Sequence, residues 1–393
     1  MSKQLLHTPE GVRDIYSSEC EKKLFLQNTI HNVIQNYGYE DIQTPTFEFF
    51  EIFAKERGSV DAKNMYKFFD REGSTLVLRP DITPSIARAV SKYYSDYEMP
   101  IRLSYSGNTF INNSEYQGKL KETTQAGAEL IGDNKSDADA EIIAMCINAL
   151  LECGLSEFQV EVGHVDFLAG ILEQVNMEAE IVEEFKTLLE NKNYFGIEDL
   201  VNNCNFDDDT KNFLIKLPEM TGQEDVIKSA LSLVKNEKSL NALDRLQKVY
   251  NILCEYGYEK YVSFDLGMVS NYNYYTGIIL RAYTYGTGDA IAAGGRYDKL
   301  LSQFGKNSPS IGFVVDVDNL LTSMNRQGIN VKTNREKTVV VYDNEHRKEA
   351  LDSAKSLRNK GVSVTLICKC SKYTIDDYKN MAQNSGANLQ WLA

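Results

Sequence analysis

The chain has 393 residues, room for two or three domains at roughly 150 residues each. Its 42% hydrophobic content supports a sizeable core and excludes global disorder. The balance of 42 Lys+Arg against 56 Asp+Glu, a net charge of −14, counts against a protein whose main task is to grip a polyanion, which needs a basic footprint.

Residues 1–170 mix helical and strand patterns. Leu24, Phe25, Ile30, Val33 and Ile34 recur at helical spacing between Glu21 and Tyr37, and Gly38 stops that helix. Two β-like runs, Met65 to Asp70 and Thr75 to Leu78, flank the turn sequence Arg71-Glu72-Gly73-Ser74 and predict a hairpin. Pro80-Asp81-Ile82-Thr83-Pro84 then opens a helix, with Thr83 as its expected cap and Pro84 in its first turn. Residues 171–250 carry 16 acidic and 9 basic residues and read as an all-helical insertion, with breaks near Asn191–Tyr194 and Pro218–Gly222. Residues 257–320 return to strands and tight turns. After a polar linker, Gln327 to Lys337, the strand, helix, strand order of residues 338–367 predicts a βαβ unit whose helix ends at Gly361. Residues 335–393 are mildly basic, with 10 basic and 7 acidic residues.

Several chemistries find no motif. The seven cysteines are scattered without a Cys-x-x-Cys pair, and there are four histidines, which argues against a zinc site or a secreted disulfide framework. No Walker loop, no complete dinucleotide fingerprint and no nucleophile elbow occur. No run approaches 18 apolar residues, and Met1 to Thr8 has no long apolar run behind its one lysine. The expectation is a cytoplasmic protein that needs no metal or cofactor.

Polar residues inside apolar strands are better leads. Gln125 and Glu129, four apart in a run of small residues, point to one face of a strand. A carboxylate and an amide on a concave face suit a small cationic or amine-bearing ligand. Asp81 with Thr83 forms a second acidic-hydroxyl pair. Tyr272, Tyr274 and Tyr275 crowd one short segment, and Gly294-Gly295 lets the backbone approach another group closely.

Taken in order, these segments resemble the core of class II histidyl-tRNA synthetases. Thr8 to Asp14 resembles that family's opening. Tyr37 to Glu48 resembles motif 1, whose proline lies at a dimer interface. Met65 to Thr83 resembles the hairpin before Leu-Arg-Pro-Glu-x-Thr, with Asp81 in place of the Glu. Asn271 to Gly277 resembles the histidine-recognition segment, and Ala292 to Leu300 the approach to motif 3. The resemblance implies an α+β fold over residues 1–325, with a mixed, mainly antiparallel sheet flanked by helices. The stretch 171–250 interrupts that core, and a truncated α/β module, 335–393, follows it.

The resemblance also implies a histidine pocket. Glu129 and Tyr275, with Tyr274 beside it, would hold the imidazole, Asp81 and Thr83 the ammonium, and Gln125 an orienting contact. Three arginines that meet ATP in the synthetases are replaced, by Ile111 in motif 2, Ser270 before the tyrosine segment and Asn319 in motif 3. Arginine supplies bidentate phosphate geometry and charge that these residues lack. Each lost contact costs roughly 3–4 kcal/mol of transition-state stabilisation on the one-donor yardstick. A kept amino-acid pocket without the ATP arginines resembles the ATP phosphoribosyltransferase regulatory subunits. That implies a homodimer within a hetero-octamer, partnered by a short-form catalytic subunit, with histidine as effector and no tRNA or membrane partner. An active synthetase with unusual motifs and a stand-alone histidine sensor are the rival readings.

Overall fold

Gly38 ends the first helix where the spacing expects it, at φ +84°, a backbone region that costs glycine little. The computed structural model describes residues 6–54, 60–96, 100–113, 119–270, 274–331, 333 and 336–393. Asn271, Tyr272 and Asn273 of the tyrosine segment lie outside the described residues. The chain divides into two units, Met1–Val331 and Lys332–Ala393.

The larger unit begins with α1 (Ser17–Asn36), β1 (Glu40–Asp41), β2 (Phe47–Phe49), β3 (Lys67–Phe69), β4 (Thr75–Leu78) and α2 (Thr83–Tyr93). Next come β5 (Ile101–Phe110), β6 (Glu122–Ile131), α3 (Ser136–Glu152), β7 (Phe158–His164) and α4 (Val165–Gln174). The central stretch holds α5 (Ala179–Glu190), α6 (Tyr194–Asn203), α7 (Asp208–Lys216), β8 (Thr221–Gly222), α8 (Glu224–Leu231) and α9 (Glu237–Glu255). The unit closes with β9 (Val262–Asp265), β10 (Ile278–Thr284), β11 (Ala292–Arg296), β12 (Ser310–Asp316) and α10 (Val317–Arg326).

Nine strands form one sheet in the order β1-β5-β6-β12-β11-β10-β7-β9-β8. The β1–β5 and β7–β9 pairs are parallel and the others antiparallel, so the unit is α+β with a mixed sheet. One apolar core takes in Leu26 and Ile30 of α1, Ile142 and Ile143 of α3, Val160 of β7 and Leu243 and Leu246 of α9. The predicted hairpin is β3–β4, and β2 pairs with the other edge of β4. Phe47, Phe49 and Phe69 of this small sheet stay 52%, 53% and 71% exposed.

Two expectations need correction. The central stretch is not all-helical. Pro218 stops the helical run, and Thr221–Gly222 then pairs with Phe264 and Asp265 as an edge strand of the large sheet. Thr83 does not cap α2. It is the first helical residue, Ile82 flanks the helix, and the Thr83 hydroxyl is committed elsewhere.

The smaller unit is β13 (Lys337–Tyr342), α11 (Arg347–Asn359), β14 (Ser363–Cys368), α12 (Ile375–Asn384) and β15 (Asn388–Leu392). Both β14 and β15 pair parallel to β13, which makes the predicted βαβ unit and one further strand. Its core gathers Val339, Val341, Tyr378 and Ala382.

Candidate functional site

β6 places Gln125 and Glu129 two pleats apart on one face, and a cavity of about 60 Å³ opens over that face. Asp81, Thr83, Gln125, Glu129, Tyr274 and Tyr275, the six residues the sequence points to, all line it. The floor is backbone-thin: Gly294 and Gly295 of β11 and Gly312 of β12. Gly294 and Gly295 sit in regular pairing with both neighbouring strands, not in a bulge.

Asp81 reaches the cavity because Arg79 pins the chain just before it. Arg79 is 7% exposed, and its Nη1 donates to the Thr44 carbonyl at 2.9 Å and its Nε to the Asn108 carbonyl at 2.8 Å. One Asp81 oxygen then accepts from the Thr83 N–H at 3.2 Å, and the other accepts from the Tyr274 hydroxyl at 2.9 Å. Tyr275 meets Tyr274 edge-on with ring centroids 5.1 Å apart.

Glu129 is the deepest carboxyl group of the cavity, 1% exposed. Thr83 Oγ1 donates to its Oε1 at 2.7 Å and the Tyr297 hydroxyl to its Oε2 at 2.5 Å; Tyr105 contributes a third hydroxyl. Tyr105 and Tyr297 are site residues that sequence reasoning missed. Their signal was faint: Tyr105 pairs directly across from Gly127, where a Cβ would lie 2.7 Å from its hydroxyl. Gly312 is needed for the same reason, since a Cβ there would fall 1.7 Å from Oε2 of Glu129. The buried Oε1 of Gln125 has no hydrogen-bond partner among the described residues, an acceptor that asks for a donor.

Burial, reinforced by Asp81, drives the Glu129 carboxyl up to about 8, against the pull of the Tyr297, Thr83 and Tyr105 hydroxyls. At that value the Glu129 carboxyl keeps at neutral pH a proton that the unfolded chain releases. Between the usual value of 4.5 and about 8 the unfolded state binds fewer protons, so this group's contribution to stability falls as pH rises through that window. Glu129→Gln removes the titration. The melting temperature of that variant relative to wild type should climb from pH 5.5 to pH 8.5, and a flat difference would refute the buried protonated carboxyl.

Of the three positions where the resemblance expects an ATP-binding arginine, Ile111 lines the cavity wall. Ser270 lines a small adjoining hollow with Tyr275, Arg281, Ala293 and Gly294. Asn319 lies in the first turn of α10, its amide 3.5 Å from the Ala290 carbonyl, and lines neither space. Among the described residues the cavity lining holds two carboxyl groups, Asp81 and Glu129, and no cation. Such a site suits an amine or imidazole and repels a polyphosphate.

Comparison with known proteins identifies the family. The histidyl-tRNA synthetase family model matches residues 11–320. The ATP phosphoribosyltransferase regulatory subunit of Acetivibrio thermocellus is 42% identical over 93% of this chain and 87% of its own. Its counterpart in Ruminiclostridium cellulolyticum is 40% identical over the same shares. A crystal structure from Bacillus halodurans, described as an ATP phosphoribosyltransferase regulatory subunit/histidyl-tRNA synthetase, is 33% identical with a TM-score of 0.87. It covers 99% of this chain and 98% of its own. The histidyl-tRNA synthetase of Nostoc sp. PCC 7120, 20% identical with a TM-score of 0.82 over 97% of this chain and 89% of its own, shares the fold. With the family model over most of the larger unit and close relatives over nearly the whole chain, this protein belongs to the ATP phosphoribosyltransferase regulatory subunits, within the histidyl-tRNA synthetase family.

Proposed function

We propose that this regulatory subunit binds free histidine in the Glu129 cavity and reports it to a short-form ATP phosphoribosyltransferase catalytic subunit, with no aminoacylation of its own. The catalytic subunit carries the chemistry of the first step of histidine biosynthesis. The observation that carries the reading is the cavity itself: Asp81 and Glu129 in place, a Gln125 oxygen without a partner among the described residues, and Ile111 on the wall where the resemblance expects a phosphate-gripping arginine. The imidazole meets Glu129 and Tyr275, and the pair shares one proton whichever partner carries it. The ammonium meets Asp81, with the Gln125 oxygen as a further acceptor.

Feedback then follows from linkage. Histidine that binds one state of the assembled enzyme better than the other shifts the equilibrium by its difference in affinity, and the catalytic subunit must in turn change histidine affinity by the same factor. The exposed Phe47, Phe49 and Phe69, in and beside the motif 1 segment, support a subunit contact there, and the homodimer within a hetero-octamer is part of the same proposal. No described helix is long and apolar enough to cross a membrane, and the proposal places the assembly in the cytoplasm. Titrating histidine into the purified chain, with and without the catalytic subunit, tests the reading; absence of binding in both titrations sinks it.

Histidine-dependent pyrophosphate exchange should be absent. Restoring one arginine, Ile111→Arg, should leave it absent, because Ser270 and Asn319 remain and adenylate formation needs charge neutralisation around the whole leaving group. Measurable adenylate from that single variant would overturn the argument from the missing arginines.

A further inference from the structure

The cavity answers half of an amino acid. A free α-amino acid carries a carboxylate as well as an ammonium, and the described lining offers the carboxylate only anions and neutral groups. A guanidinium stands next door. The hollow that Ser270 lines shares Tyr275, Ala293 and Gly294 with the cavity, and its cation is Arg281. Strand register explains the placement. Gly127 pairs with Val314, Val314 with Ala293, and Ala293 with Arg281, so the four form one row across β6, β12, β11 and β10. Directly paired residues project from the same face of a sheet. Val314 and Ala293 line the cavity, so Arg281 rises on the cavity side. The residues between it and Gly127 are small or short, which leaves the floor low. Arg281 Nη2 donates to the Val269 carbonyl at 2.9 Å, which anchors the guanidinium beside Ser270. Glu161, across from it on β7, is the anion of that row, and burial holds the Glu161 carboxyl above its ordinary range.

We infer that Arg281 receives the carboxylate of the bound amino acid and makes the site selective for a free α-amino acid over its amide or its decarboxylated amine. This rests on the histidine-pocket reading above. It assigns the charge balance of the pocket to β10 rather than to the position of Ser270. The guanidinium can pair a carboxylate bidentately, which an ammonium or a neutral amide cannot.

Isothermal titration of the full chain with L-histidine, L-histidinamide and histamine tests it. Wild type should bind histidine at least about tenfold more tightly than either analogue, the scale of one hydrogen-bonded charge. Arg281→Met should weaken histidine by about 10- to 100-fold, to the level of histidinamide, and leave both analogues unchanged. Arg281→Lys should recover part of the histidine affinity. Equal weakening of all three ligands by Arg281→Met would mark a structural role and overturn the inference, as would an unchanged histidine affinity. A wild type that fails to discriminate among the three would overturn it too. A wild type that binds none of them would overturn the pocket reading itself, and this inference with it.

Discussion

Replacing Glu129 by alanine should weaken histidine binding by about 10- to 150-fold, the range set by one hydrogen bond to a charged group at roughly 1.5–3 kcal/mol. Glu129 is the innermost acceptor of the cavity and the only described carboxylate that three hydroxyls hold in place, from Thr83, Tyr105 and Tyr297. Alanine removes the partner of the imidazole and leaves those three donors aimed at vacated space. Glu129→Gln keeps the shape and separates loss of the exchangeable proton from loss of volume. In the assembled enzyme the histidine concentration that halves activity should rise by the same factor, because binding and feedback are linked. Assembly should persist, since the side chain is buried and presents nothing to a partner. Titration calorimetry and an inhibition curve read the two effects. Inhibition by histidine that survived the change unaltered would remove feedback from this cavity and put it elsewhere in the complex.

How much of this was legible beforehand depended on the range over which each signal acts. The face shared by Gln125 and Glu129 follows from the two-residue period of one strand, a local rule, and it held. The βαβ unit of the smaller module follows from apolar runs and the glycine stop at Gly361, also local. Thr83 shows the limit. A threonine just before Pro84 reads as a cap, and its true partner is Glu129, 46 residues away and visible only once β6 lies beside the start of α2. The same holds for Tyr105 and Tyr297, whose hydroxyls converge on one carboxyl group, one from β5 and the other from the residue just after β11. The Thr221–Gly222 strand was missed because two residues carry no periodicity. Its pairing with β9 depends on where the helical stretch returns to the sheet. Arg281 escaped notice for a further reason. Nothing in the run Ile278 to Thr284 marks its arginine as special until the register with Ala293 and Val314 sets it on the cavity side.

The largest effect on stability should come from Asp139→Ala, a loss of about 3–5 kcal/mol, the cost of stripping one partner from a buried ion pair. Asp139 lies on α3 and is fully buried, at 0% exposure. Its Oδ1 accepts from Nε and Nη2 of Arg296 at 2.9 and 2.5 Å, and its Oδ2 accepts from Nε of Arg245 at 2.6 Å. One carboxylate thus joins α3, β11 and α9, and it is the shared anion between two guanidinium groups. His164 stands near both arginines, and burial first, then Arg245 and Arg296, lowers its pKa to about 4, so it adds no charge at neutral pH. Arg296 is 4% exposed, and without Asp139 the Asp298 carboxylate at 3.3 Å and the Asp133 carbonyl at 3.1 Å are what remain among the described residues to meet its guanidinium. Total stabilities are roughly 5–15 kcal/mol, so the variant should unfold at a markedly lower urea midpoint. A midpoint within the error of wild type would show that desolvation of the triad cancels its attraction. Histidine affinity should fall as well, because Arg296 directly precedes Tyr297, and a β11 that loses its anchor no longer holds the Tyr297 hydroxyl against Glu129.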